Sequence, residues 1–283
     1  MFEQDVVKPG YILGYILALL ALSWLVLALV ALGVLRFSWL ALLPFLPGLL
    51  ALLLLSLEGH PVEVHARPLL HRVTPPSVLF AVAYPLLLLG LAALVALGTG
   101  LGSLSTGTGT GTGMIAWLAV AVTAFLSAIP ASLGQEYGYR GYLLPALSYW
   151  QGRTMATLSV GVVWGLATAP AAWLALSAAG SGDAPALAFL WFLLTIAIAF
   201  AFSCCACLSE NILPVTLMNI LLLLLSPAFF TFSPDPRMTP AGGLIGLTWP
   251  SPIPLLLLVA LAFVPVFVRL FAEMDGGIRG DGL

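Results

Sequence analysis

The sequence predicts an all-α, polytopic membrane protein with about eight transmembrane helices in one bundle. Three observations carry that prediction. Only 7% of the residues are charged and 61% are hydrophobic, whereas a soluble domain carries about a quarter charged residues. Mean hydropathy is +1.14. Apolar runs recur along the chain, each long enough to cross roughly 30 Å of hydrocarbon at about 1.5 Å per residue. Their apolarity is continuous rather than alternating, which selects helices, whose backbone groups are satisfied locally, over a barrel. No polar stretch is long enough for a soluble domain, so residues 1–283 read as a single transmembrane domain. A net charge of −2 offers nucleic acid no electrostatic footprint, since such binding needs clustered cations.

The first apolar segment, about 11–35, follows MFEQDVVKPG. That start is acidic rather than basic, the apolar run is long, and no small-residue cleavage pattern follows. It therefore reads as a retained span and not as a cleaved leader. The second segment is about 38–57. Residues 58–77, EGHPVEVHARPLLHRVTPPS, are the most polar connection and hold all three histidines, His60, His65 and His71. Pro61, Pro68, Pro75 and Pro76 argue against a helix there, so it reads as a solvated loop. The third segment, about 78–98, is joined to the fourth, about 114–133, by the Gly/Thr/Ser linker 99–113, a flexible composition. The fifth, sixth and seventh lie at about 154–178, 186–208 and 212–230. The short linkers 179–185 and 209–211 demand antiparallel hairpins. A Pro/Gly-rich interfacial stretch, 231–251, precedes the eighth segment at about 252–272.

With eight spans both termini share a side. That side collects Lys8, Arg67, Arg72, Arg153, Arg269 and Arg279, and the other collects Arg36 and Arg237. The asymmetry predicts cytoplasmic termini. Cys204, Cys205 and Cys207, in SCCAC, are the only cysteines. No second cysteine pair faces them, so they read as small packing residues of a membrane helix and not as metal ligands.

The stretch GQEYGYRGYLLPAL, Gly134 to Leu147, sets Glu136 and Arg140 four residues apart. On a helix that spacing brings them to one face, and an acid at membrane depth is costly unless paired. QEYGYRGYLLPAL resembles the first motif of the CPBP family, the Abi or CAAX-type intramembrane proteases. That motif is a double glutamate, three residues and an arginine, often followed by Gly-Tyr-Leu-Leu-Pro. The resemblance covers about residues 114–225, and the eight-span plan agrees with it.

The resemblance implies a membrane-embedded hydrolase whose first motif glutamate is the general base on a water. Two histidines and an asparagine on later helices assist, with or without a metal, and the second glutamate and the arginine are structural. This chain departs from that pattern. Gln135 stands where the first glutamate is expected, and an amide has no useful basicity. The second motif, an aromatic followed four positions later by histidine, is met by Trp164 but ends on Thr168. The third, ILPVTLMNILLLL, puts Asn219 at the histidine position and Leu223 at the asparagine position.

The expectation is a vestigial site at Gln135, Thr168, Asn219 and Leu223, with Glu136 and Arg140 kept as a structural ion pair. No metal and no cofactor is expected, since no apolar segment contains a histidine. Gln135, Thr168 and Asn219 retain hydrogen-bonding capacity and would line an uncharged polar pocket. Rhomboid-type chemistry lacks its membrane histidine, and presenilin-type chemistry lacks two membrane aspartates. The functional expectation is a non-catalytic CPBP-like protein embedded in lipid. It would bind or stabilise other membrane proteins through its helix faces, or act as an accessory subunit of a membrane complex. The alternatives are an active intramembrane endopeptidase using Glu136, and a small-molecule transporter, for which Pro214 and Asn219 in the seventh segment give weak support.

Overall fold

The computed structural model describes residues 8–104, 114–231, 245–247 and 252–280. Every predicted apolar segment coincides with a helix. Helix α1 is Pro9–Ala31; a 3₁₀ stretch, Phe37–Phe45, leads into α2, Leu46–Leu57; α4 is Pro75–Gly98, after a short α3, Val62–Leu70. Helix α5 is Met114–Glu136, a π-helical segment spans Tyr137–Leu143, and α6 is Leu144–Ala178. Helices α7, Ala184–Cys207, α8, Ile212–Phe229, and α9, Ile253–Gly280, complete the order. Helices this long and apolar embed the chain in a bilayer as an integral membrane protein.

The count of eight holds approximately. Six described stretches have the length and hydropathy of a crossing, and one of them, Phe125–Ala178, runs for 54 residues, enough for two passes. Helix α8 is apolar over Ile212–Ser226 but shorter than the rest. The 54-residue stretch arises because the connection expected around 134–153 is not a loop. Helix α5 continues through the π segment into α6, which keeps the backbone groups of this buried stretch bonded. The chain turns at Gly152, whose φ of +75° breaks the helical path. From α9, Asp275 clamps that break, accepting hydrogen bonds from the Arg153 backbone N–H and guanidinium.

Two connections differ from their sequence reading. The region 58–77 contains α3, because its prolines fall where helices tolerate them: Pro61 caps α3, and Pro75 and Pro76 open α4, leaving only Pro68 inside a helix. From the Gly/Thr linker, β1, Gly102–Leu104, pairs antiparallel with β3, Ile245–Leu247, which pairs parallel with β2, Phe230–Thr231. This small sheet ties the end of α4 to the end of α8 and the approach to α9.

Small residues let the helices approach closely, the usual device where lipid removes the hydrophobic drive between helices. Helix α2 lies against α5 so tightly that a Cβ on Gly48 would come within 2.6 Å of the Gly134 carbonyl oxygen. One on Gly138 would overlap the Pro47 backbone. Between α6 and α7, a Cβ on Gly161 would sit 2.9 Å from the Ile196 Cα, and one on Gly165 would sit 2.6 Å from the Thr195 hydroxyl. Across the bundle Trp24 on α1 donates to the Leu166 carbonyl at 2.9 Å. Tyr84 of α4 packs edge-on against Phe263 and Phe267 of α9. Leu13, Leu17, Leu53 and Leu94 remain exposed on the outer faces, as lipid-facing positions should.

Gly138→Ala should destabilise the protein by about 3 kcal/mol or more, the upper range for overpacking against backbone. Gly14→Ala, where no atom lies within 4 Å, should leave stability unchanged or slightly raised. Thermal melting of the two variants in one detergent compares them directly, and equal melting would contradict the contact between α2 and the π segment.

Candidate functional site

The π segment places Glu136 and Arg140 at the centre of the bundle. Both side chains are 0% exposed, and Arg140 Nη1 lies 3.1 Å from Glu136 Oε2. Asn219 on α8 closes the other side, its Nδ2 donating to Glu136 Oε1 at 3.0 Å. Oε1 thus accepts a hydrogen bond from the protein, while Oε2 is in ion-pair contact with the guanidinium without a well-aligned hydrogen bond. The guanidinium carbon lies 4.6 Å from the Trp164 ring centroid, 5.0 Å from that of Phe202 and 5.7 Å from that of Tyr139. Apart from the Glu136 contact, the guanidinium nitrogens meet no hydrogen-bond acceptor among the described residues. Aromatic faces cover the cation instead, an attraction that strengthens as water is removed.

Neighbouring aromatics brace the segment. Tyr142 packs on Tyr15 at 5.0 Å between centroids, and the Tyr15 hydroxyl donates to the Pro47 carbonyl at 3.1 Å. The tight Gly138–Pro47 approach thus recurs as a hydrogen bond from α1 to the start of α2. Helices α1, α2, α6, α7 and α8 all contribute to the position of one ion pair.

The other sequence-predicted positions disperse. Gln135 is half-buried beside Glu136. Thr168 donates to the Trp164 carbonyl at 2.9 Å and accepts from Trp191 Nε1 at 3.1 Å. It is thereby engaged between α6 and α7, one turn beyond the tryptophan that covers Arg140. Leu223 is 56% exposed on α8. The structure brings Asn219 to Glu136, whereas the hydroxyl of Thr168 is taken up by Trp164 and Trp191. Phe202 and Tyr139 escaped sequence reasoning. Phe202 is one of 15 phenylalanines, and nothing in its local sequence sets it apart. Trp164 stood out only as a motif aromatic, without its role over the cation.

The donor set around Glu136 does not fit zinc. It comprises one carboxylate already held by a guanidinium and an amide, where zinc needs three or four N, S or O ligands. No group of three His, Cys, Asp or Glu side chains gathers among the described residues. His60 meets Glu58 at 3.2 Å, and His71 meets Glu210 at 3.8 Å, away from the pair. Cys204 and Cys205 are buried, and the Cys205 thiol is 3.7 Å from the Ser77 carbonyl that accepts from it.

Residues 115–225 match the Rce1-like family model, described as type II CAAX prenyl endopeptidase Rce1-like. That stretch is thus similar to an Rce1-like membrane domain of the CPBP family. Its limits nearly coincide with the stretch in which the sequence resembles that family. The Rce1-like segment opens with α5 and closes within α8, so it contains Glu136, Arg140, Trp164, Phe202 and Asn219 together. Helices α1, α2 and α9 lie outside it, yet Tyr15 and Pro47 brace its motif. No curated protein matches the chain.

Removing one member of a buried ion pair leaves the other charge uncompensated. Glu136→Gln should therefore lower unfolding free energy by about 3–5 kcal/mol. The double variant Glu136→Gln with Arg140→Met should recover a large part of that loss. Asn219→Leu should cost less, about 1–3 kcal/mol, for one lost hydrogen bond to a charge. Denaturant titration of the three variants in mixed micelles measures the cycle, and additive losses in the double variant would contradict the pairing.

Proposed function

We propose that this chain is a non-catalytic Rce1-like membrane protein, a pseudoprotease that binds or stabilises partner membrane proteins. The enclosure of Glu136 is the observation that carries the reading. A general base must lie about 2.6–3.2 Å from the proton it removes, directly or through one water. Glu136 has no exposed side-chain surface, and each of its oxygens faces a protein donor. The positions to which the resemblance assigns base and helpers hold Gln135, Thr168, Asn219 and Leu223, none of which can take a proton from water at neutral pH. Within this reading Glu136 and Arg140 are the structural pair of the motif. The ion pair and its aromatic cover keep the central helices rigid, and the exposed apolar faces of α1 and α4, bearing Leu17 and Leu94, are the surface offered to partner helices.

One observation favours a second reading, an active intramembrane endopeptidase. The Glu–Arg spacing survives, and the matching family is described as a prenyl endopeptidase. Purified protein in proteoliposomes, given a prenylated peptide ending in a CAAX sequence, separates the two. No cleavage product is expected from the wild type under any metal supplement. Cleavage that disappears in the Glu136→Gln variant would overturn the non-catalytic reading. Photo-crosslinkers at Leu17 and Leu94 in native membranes should give discrete protein adducts, and adducts to lipid alone would remove the partner role.

A further inference from the structure

A cavity of about 570 Å³, with Arg140 of the central pair on its inner wall, opens at the end of the bundle where α3, the π segment, the start of α6, the α7–α8 turn and α9 meet. That volume lies within the range of small-ligand sites. One side is ionic and carries both signs: Arg67 and Arg153, with Glu210, Asp275 and His71 among them. These groups form two chains. Arg67 Nε donates to His71 Nε2 at 3.4 Å, which leaves the proton on His71 Nδ1, facing Glu210 Oε2 at 3.8 Å. Arg153 is held by Asp275. The other side is apolar, built from Pro68, Leu144, Pro145 and Ile212.

Backbone conformation singles out Glu210. It has a φ of +53° and is the one non-glycine residue at positive φ among the described residues. Glycine would hold this turn without strain, and the chain uses 28 glycines elsewhere. A carboxylate is kept in a left-handed turn at the rim of a cavity, where such strain points toward a ligand.

The geometry points to a bilayer phospholipid with a phosphate and a primary ammonium in its headgroup as the occupant. The phosphate pairs with Arg67 and Arg153, because guanidinium matches phosphate oxygens in pairs. The ammonium donates to Glu210 and Asp275, and the glycerol and first acyl carbons lie on Pro68, Leu144, Pro145 and Ile212. A purely anionic headgroup would offer Glu210 and Asp275 no donor and would compete with them for His71 and Arg153. A trimethylammonium group would lack the aromatic cage it prefers, since the one aromatic on this cavity, Tyr149, is 63% exposed. The position suits a headgroup, at the ends of apolar helices where an aromatic pair, Tyr149 and Trp150, marks interfacial depth. The inference rests on the cavity alone and stands or falls separately from any peptidase activity.

The test is lipid retention by the full chain purified in detergent, read by native mass spectrometry. Short-chain phosphatidylethanolamine, phosphatidylcholine and phosphatidylglycerol are compared, with soluble phosphoethanolamine as competitor. The expected result is about one phosphatidylethanolamine per chain, retained in preference to the other two. Retention should fall roughly fivefold or more in Arg67→Met and in Glu210→Gly. The second variant should melt at or above the wild-type temperature without lipid, since glycine relieves the turn, which separates loss of binding from loss of fold. Equal retention of the three lipids, or wild-type retention in either variant, would overturn the proposal. Displacement by soluble phosphoethanolamine at matching concentration would assign the cavity to a free headgroup compound and overturn the lipid assignment.

Discussion

A carboxylate and a guanidinium withdrawn completely from solvent set the terms for the middle of this bundle. Desolvating two charges is expensive, and their attraction offsets it only when geometry is good and the remaining donors and acceptors are covered. The protein meets that condition with three devices. Asn219 takes the carboxylate oxygen that Arg140 leaves, the rings of Trp164, Phe202 and Tyr139 cover the cation, and the i,i+4 spacing across the π segment sets the 3.1 Å contact. Each device comes from a different stretch of chain, so the pair can exist only when α5, α6, α7 and α8 are in register.

Glycine makes that register attainable. Gly48, Gly134 and Gly138 bring α2 onto the motif, while Gly161 and Gly165 bring α7 onto α6.

The ionic cavity near Arg67 and Glu210 has the opposite character. Its charges are partly exposed, both signs are present, and the surrounding backbone includes a strained turn. Close packing around Glu136 and an open ionic rim around Glu210 share the π segment, whose Arg140 and Gly141 line the cavity. A ligand at the rim would therefore rest directly on the helices that the central pair orders.

Composition and periodicity by themselves determined the membrane class, the helical architecture and the location of nearly every helix, because burial in lipid demands long uninterrupted apolar runs. The spacing of Glu136 and Arg140 and the substitutions Gln135, Thr168, Asn219 and Leu223 were equally readable in one dimension. Tertiary structure alone decided the rest. It made the connection between the fourth and fifth apolar segments helical up to a break at Gly152, brought Asn219 to Glu136 across 83 positions, sent Leu223 to the outer face and Thr168 to Trp191, and gathered a cavity from five separate elements. Those outcomes depend on distances between residues far apart in the chain, and such distances follow from how helix surfaces interlock, which no local pattern of residues records.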